Sequence, residues 1–271
     1  MHRAHSVILS TYNALQWLEK TLVGYTMQTC RDFEIVIADD GSGQETRQFI
    51  EDFKKKTDIP ILHVWHEDNG FQKSAILNKA LVACNGDYII MSDGDCIPRK
   101  DFIEQHIKYK QHGYFLSGGY HMLPLVTSKA ITNKDIELEN CFDVKWLQER
   151  GMPKSFKNNK IDSGAIHEKF LNFITPTKPT WNGHNASGWK TDLLAINGFD
   201  ERMQYGGQDR ELGERLVNYG IKGKQIRYSA ICIHLDHPRG YKNQESITKN
   251  RAIRAETRKN RTVKSPFGIL K

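Results

Sequence analysis

The sequence predicts an α/β fold: a mostly parallel sheet flanked by helices. Three observations carry this. Short β-branched runs alternate with longer amphipathic stretches through the first hundred residues, four of those runs end in polar turns, and the composition supports a sizeable core. With 38% hydrophobic and 26% charged residues over 271 positions, the chain can bury about 70% of its unfolded surface. Its apolar runs, such as Ile35-Val36-Ile37-Ala38, fall far short of the roughly 18 residues that a membrane span needs.

Ser6-Val7-Ile8-Leu9-Ser10 reads as a buried strand, and residues 14–28 follow as a helix with Leu15, Leu18, Leu22 and Tyr25 at helical spacing. Residues 33–38 form the second strand. Residues 45–56 carry Phe49, Ile50 and Phe53 on one helical face, 61–65 are the third strand, 73–84 a helix and 88–91 the fourth strand. In such sheets ligands bind at the carboxyl ends of the strands. Those ends read Thr11-Tyr12-Asn13, Asp39-Asp40-Gly41-Ser42, Glu67-Asp68-Asn69-Gly70 and Ser92-Asp93-Gly94-Asp95, and are predicted to line one crevice. After about residue 125 the pattern loosens. A helix is expected over 136–149, and the loop-rich stretch 151–179, with Pro153, Pro176 and Pro179, reads as an insertion or mobile loop. Structure resumes over 181–189, with a helix over 191–196, a turn at Asn197-Gly198, a helix over 209–219 and a strand over 225–233. Residues 1–240 are expected to form one domain with halves meeting near 125, and 241–271 a basic helix or tail.

The formal charge is +7, and residues 241–271 alone supply that excess with nine basic and two acidic side chains. The remainder is neutral, which argues against nucleic acid as a partner. Five cysteines, odd in number and without a Cys-x-x-Cys, indicate neither a disulfide framework nor a structural zinc site. With no signal-peptide core after Met1, reduced thiols lead to the expectation of a cytoplasmic enzyme.

Asp93-Gly94-Asp95 directly follows the apolar Tyr88-Ile89-Ile90-Met91. Two carboxylates on a tight turn can grip a hard divalent cation and leave positions open for phosphate oxygens, although the triplet also makes an ordinary polar turn. Asp39-Asp40-Gly41-Ser42 has a similar alternative, with Ser42 capping the next helix. Two adjacent acids at a sheet mouth are costly without a partner, which favours a binding role.

Ser10-Thr11-Tyr12-Asn13, Val36-Ile37-Ala38-Asp39-Asp40-Gly41-Ser42, Asn69-Gly70 with Asn78-Lys79-Ala80, and Asp93-Gly94-Asp95 together resemble family-two glycosyltransferases of the GT-A fold over residues 6–125. A second stretch, Asn197-Gly198-Phe199-Asp200-Glu201 followed by Tyr205-Gly206-Gly207-Gln208-Asp209-Arg210-Glu211, resembles the carboxyl-terminal part of galactosyltransferase and N-acetylgalactosaminyltransferase catalytic domains. It departs from them at Gln208, where the commonest form has Glu. The resemblance makes 1–125 the nucleotide-sugar half and 126–240 the acceptor half.

On that resemblance, Thr11 and Tyr12 flank the donor base, Asp39 or Asp40 reads its imide N–H, and Asn69, Lys73 and Asp93 contribute to the donor site. Asp93, Asp95 and His234, with His237 as the alternative imidazole, would hold Mn²⁺ or Mg²⁺. Asp209 would be the base of an inverting transfer from a nucleoside-diphosphate sugar, a UDP-sugar first, to a saccharide or lipid-linked saccharide. Asp is also a favoured helix cap. Glu211, Trp181, His184 and Trp189 would line the acceptor side, the tryptophans by stacking on sugar rings unless they are core residues. Arg251, Arg254, Arg258 and Arg261, spaced three, four and three, are expected on one helical face opposite a polyanion: anionic membrane, acceptor glycan or donor diphosphate. Two rivals remain. A sugar nucleotidyltransferase would need a Gly-rich basic loop where Thr11-Tyr12-Asn13 stands, and a polyanion-binding protein would leave the acid-lined body unexplained.

Overall fold

The computed structural model describes residues 3–161, 168, 171–172, 175–238 and 243–271. Strands β1 (His5–Thr11), β2 (Phe33–Asp39), β3 (Ile61–Trp65) and β4 (Tyr88–Asp93) alternate with helices α1 (Leu15–Thr26), α2 (Gln44–Lys54) and α3 (Lys73–Ala83), close to the predicted bounds. Then come β5 (Cys96–Pro98), α4 (Phe102–Tyr109), β6 (Tyr114–Ser117), β7 (Gly119–Met122) and three short helices, α5 (Leu125–Ala130), α6 (Asn133–Glu137) and α7 (Val144–Glu149). The chain continues through β8 (Ala186–Trp189), α8 (Lys190–Ala195), α9 (Gln208–Asn218), β9 (Lys222–Gln225), β10 (Ile231–His234) and α10 (Gln244–Lys259). No helix among the described residues is long and apolar enough to cross a membrane.

Among the described residues, seven strands form one sheet in the order β3-β2-β1-β4-β8-β6-β9. Only β8 runs against the rest, being antiparallel to both β4 and β6. The parallel register aligns Thr11 with Asp39, Asp39 with Trp65, and Ser10 with Asp93, so the polar strand ends sit level at one edge. Side-chain alternation explains the two main cores. Val7, Leu9, Ile35, Ile37, Tyr88 and Ile90 pack with Leu18, Leu22 and Tyr25 of α1. Ile8, Val36, Ala38, Ile89 and Met91 pack on the other face with Ile76, Leu77 and Leu81 of α3.

A smaller sheet, β5-β10-β7, stands beside the main one and aligns His234 with Cys96. It brings the segment after β10 to the turn after β4.

Three expectations change. The helix expected over 136–149 is broken into α6, a 3₁₀ turn at Asn140–Phe142 and α7, because Glu139 takes a left-handed φ of 57° and Asp143 caps α7 through Trp146 N–H at 2.7 Å. The strand expected over 225–233 is two strands with turns between them, in different sheets. Within the stretch read as an insertion, residues 156–160 form a 3₁₀ turn, while 162–167, 169–170 and 173–174 lie outside the described residues.

The basic segment also differs from a free stripe. α10 buries Ser246, Asn250, Ile253 and Thr257 and packs on α9. Arg254 and Arg258 reach Glu214 at 2.6 and 2.9 Å, and Arg261 lies past the helix end with φ 51°. Residues 239–242, which span the expected boundary between domain and tail, are outside the described residues.

Candidate functional site

The ends of β1, β2 and β4, the start of α3, the turn into α9 and the segment after β10 enclose a cavity of about 730 Å³. Thr11, Tyr12, Asp40, Lys73, Asp93, Asp95, Asp209, His234 and His237 line it. The sequence places these residues far apart, and the sheet register brings them together.

Asp93 Oδ1 accepts from Ser10 Oγ and from Lys73 Nζ, both at 2.7 Å. Burial alone would raise the Asp93 carboxyl, but the Lys73 ammonium and the two hydrogen bonds hold it far below the usual carboxylate range. Lys73 shows the mirror effect: burial works against its charge, and Asp93 with Asp209 and Asp95 nevertheless raises it. Lys73 is therefore a fixed cation in the cavity wall.

Asp95 Oδ2 lies 2.9 Å from His237 Nε2, and Asp95 Oδ1 lies 3.7 Å from His234 Nε2. The Nδ1 atoms of His234 and His237 each face a backbone carbonyl at 2.9 Å, of Leu235 and Pro238. With Nδ1–H donated to a carbonyl, Nε2 is the nitrogen that faces Asp95; an imidazole lone pair and a carboxylate oxygen repel at that distance unless a proton or a cation lies between them, and Nε2 is the atom a shared metal ion would take. Ligand atoms of Asp93, Asp95, Cys96 and His234 lie within 4.8 Å of one another. Burial pushes the Cys96 thiol well up, so it stays protonated. Two carboxylates and imidazole remain, a donor set that fits Mn²⁺ or Mg²⁺. His184 stacks edge-on with Tyr120 at 4.3 Å, and burial lowers it to about 4, which keeps it neutral beside these groups.

Asp209 differs from its neighbours. Its Oδ1 is buried without a hydrogen-bond partner among the described residues. Burial raises its carboxyl, Lys73 opposes the shift and Asp93 adds to it, with the Gly183 amide helping to hold the charge. Gly206 and Gly207, at φ 107° and 94°, turn the chain into α9 just before it, a conformation that a side chain would strain. Gln208 Oε1 accepts from Gly206 N–H at 3.0 Å and closes that turn.

Residues 6–126 match the model of glycosyl transferase family 2. The chain carries a family-two glycosyltransferase domain. It is 26% identical over 279 residues to the uncharacterized glycosyltransferase YfnE of Bacillus subtilis, covering 90% of this chain and 68% of that one. It is 25% identical over 249 residues to the chondroitin synthase of Escherichia coli, covering 86% of this chain but only 35% of the synthase. The solved structure of GalNAc-T7 with UDP, GalNAc and Mn²⁺ superposes with a TM-score of 0.63 over 94% of this chain and 48% of that one, at 15% identity. The fold is GT-A. The family model stops short of the Asn197–Glu211 stretch.

In this glycosyltransferase domain several expected residues lie away from the cavity. Trp181 is wholly buried against Phe115 and α9: it is core, and stacks on no sugar. Trp189 pairs with Tyr88 at the opposite end of β4 and stacks on His112 at 4.0 Å. Glu211 is buried, binds Arg215 through both oxygens at 2.8 and 2.9 Å and accepts from Thr257 Oγ1 at 2.9 Å, so it braces α9 instead of meeting an acceptor. Asn69 is exposed and turned to its own loop, donating to Glu67 O at 3.4 Å. Asp39 is wholly buried, its oxygens taken by Ser42 N–H at 2.8 Å and His63 Nε2 at 2.9 Å. Asp40, by contrast, lines the cavity, and burial raises its carboxyl.

Ser10, Trp17, Phe71 and Tyr205, none of them an expected site residue, also line the cavity. Phe71 and Tyr205 meet edge-on at 6.1 Å, joining the β3–α3 loop to the turn before α9. A signal existed in Tyr205-Gly206-Gly207, an aromatic next to a glycine turn. Trp17 gave none, since an aromatic in an amphipathic helix reads as core.

Proposed function

We propose that this chain transfers a sugar from a nucleoside-diphosphate sugar, a UDP-sugar first, to a hydroxyl of a saccharide or lipid-linked saccharide, with inversion. The observation that carries the reading is the buried, unpartnered Oδ1 of Asp209 in the same cavity as Asp93, Asp95 and Lys73. A carboxylate held there, with its pKa raised by burial, suits the removal of a proton from an acceptor hydroxyl as the anomeric carbon is attacked in line.

Tyr12 forms the wall beside the base, its hydroxyl anchored on Asp68 at 2.8 Å, and Asp40 accepts the base's imide N–H. Lys73 offers a fixed positive charge to the donor phosphates. Asp93, Asp95 and His234, with His237 adjacent, would hold the divalent cation, which when bound supplies charge to offset that developing on the leaving diphosphate. The polysaccharide synthase among the relatives supports a glycan acceptor. A cytoplasmic location goes with five unpaired thiols.

A thermal-shift screen of UDP- and GDP-sugars, with and without Mn²⁺, tests the donor. A UDP-sugar should stabilise the protein by several degrees only with the metal. Stabilisation by a nucleoside triphosphate alone would instead favour a nucleotidyltransferase. The anomeric configuration of the product, followed by NMR, tests inversion, and retention would remove Asp209 from its role.

A further inference from the structure

Asp40 faces the donor cavity from the end of β2, yet its carboxylate is set from behind. Its Oδ1 meets His66 Nε2 at 2.8 Å and its Oδ2 accepts from Gln72 N–H at 3.0 Å. The other His66 nitrogen, Nδ1, faces Lys79 Nζ at 3.2 Å. An ammonium can only donate, so Nδ1 must be the acceptor and Nε2 must carry the proton that goes to Asp40. The lysine thereby selects one neutral tautomer, and the imidazole becomes a fixed N–H donor to the carboxylate.

The His66 and Asp40 side chains are each 9% exposed. His66, Gln72 and Lys79 line a second cavity of about 630 Å³, together with Asn78, Glu201 and Lys271. His66 and Lys79 are not among the residues lining the donor cavity. The hydrogen-bonded route from Lys79 to a donor in that cavity runs through His66 and Asp40.

We infer that Lys79 and His66 are positioning residues for nucleobase recognition: they hold the Asp40 carboxylate in the orientation that accepts the imide N–H of the donor base. The inference rests on the reading of Asp40 as the base-reading carboxylate. Two of its four lone-pair sites are used by His66 and Gln72, leaving one on each oxygen for the ligand. Without His66 the carboxylate keeps only the Gln72 bond and can swing about it, so ordering must be supplied when the base binds. Asp39 has its own histidine, His63, but lines neither of the two cavities; the two adjacent acids are each met by one imidazole of the His63-Val64-Trp65-His66 run.

Calorimetric titrations of the full chain with UDP and with inorganic pyrophosphate, at fixed Mn²⁺, test the inference. His66→Phe should weaken UDP binding about tenfold and leave pyrophosphate affinity unchanged. His66→Gln, whose amide can still donate to Asp40, should recover UDP affinity to within about threefold of the original, and Lys79→Met should lower it by a smaller step than His66→Phe. Asp40→Asn is measured alongside. If it weakens UDP binding while His66→Phe does not, the positioning role is overturned and the Asp40 reading stands. If Asp40→Asn leaves UDP affinity unchanged, the Asp40 reading fails and takes the inference with it. A parallel loss of UDP and pyrophosphate affinity in His66→Phe, or no recovery in a folded His66→Gln, would make His66 merely structural.

Discussion

Lys73 pins Asp93 through a 2.7 Å ion pair, Asp95 faces two imidazoles, and the buried Oδ1 of Asp209 has no partner among the described residues. The carboxylates of the cavity therefore differ in chemistry: Asp93 is clamped by the Lys73 charge, whereas Asp209, also near Lys73, keeps an oxygen suited to accept a proton. Asp95→Ala should reduce calorimetric affinity for UDP in Mn²⁺ by tenfold or more, and unchanged affinity would remove Asp95 from the metal site. The acids were legible because each follows a recognisable strand or glycine turn. Trp181 and Glu211 were not, since residue type alone does not say which side of an element is covered. The Arg215 one helical turn after Glu211 was the overlooked signal of a buried i, i+4 pair. The imidazoles on Asp39 and Asp40 were hidden because their contact depends on β2–β3 register, which a linear reading does not supply.

Helix α10 reaches the turn before Asp209, with Ser246 donating to Gln204 Oε1 at 2.7 Å and Asn250 holding the backbone. Asn250, wholly buried, donates to the carbonyls of Gln204, Tyr205 and Gly206 at 3.0, 3.2 and 3.1 Å, so it shapes the turn that presents Asp209. Asn250→Leu should lower kcat by about a hundredfold while UDP affinity stays within about threefold; steady-state kinetics with calorimetry would show this, and a lower affinity at unchanged kcat would argue against it. Deleting 245–271 should then impair transfer through the Asp209 turn, with no need for a lid or an anchor. Arg215 ties α9 to the Asn197-Gly198 turn, donating to Ile196 O and Gly198 O at 2.6 Å each. Arg215→Met leaves Glu211 buried without its cation and should cost about 3–5 kcal/mol in denaturant unfolding; a loss under 1 kcal/mol would contradict this. Strands β1, β2 and β4 were legible because buried parallel strands carry near-continuous apolar runs, and the edge strand β3 because its short apolar run stands between polar turns. The 136–149 break was not, because a left-handed residue such as Glu139 leaves no mark in an otherwise helical pattern.

Across the molecule, the two sheets and α4 are joined by a buried polar chain. Asn185 Nδ2 donates to Gly119 O at 2.7 Å and Ala230 O at 2.9 Å, which turns its Oδ1 to His106 Nε2 at 3.0 Å. Ser187 Oγ meets His106 Nδ1 and Tyr88 Oη, each at 2.8 Å. Burial lowers His106 to about 3 from its ordinary 6.5, with the Asn185 bond opposing. The unfolded chain binds this proton more readily, so the contribution is complete above about pH 6.5 and is lost as pH falls toward 3, by about 1.4 kcal/mol per unit. Between pH 7.5 and 5, His106→Gln should lose about 2 kcal/mol less stability than the parent in urea unfolding; identical slopes would contradict this. The same frame holds Asn185 beside the loop that carries His184, so the stability of the two-sheet junction and the geometry of the cleft are linked. The proposal that the turn into α9 presents one proton-accepting carboxylate to the acceptor is tested most directly by the rate of sugar transfer by Asp209→Asn, in protein whose UDP affinity with Mn²⁺ matches the parent. A fall of about a thousandfold or more is the predicted result, and turnover near that of the parent would contradict it.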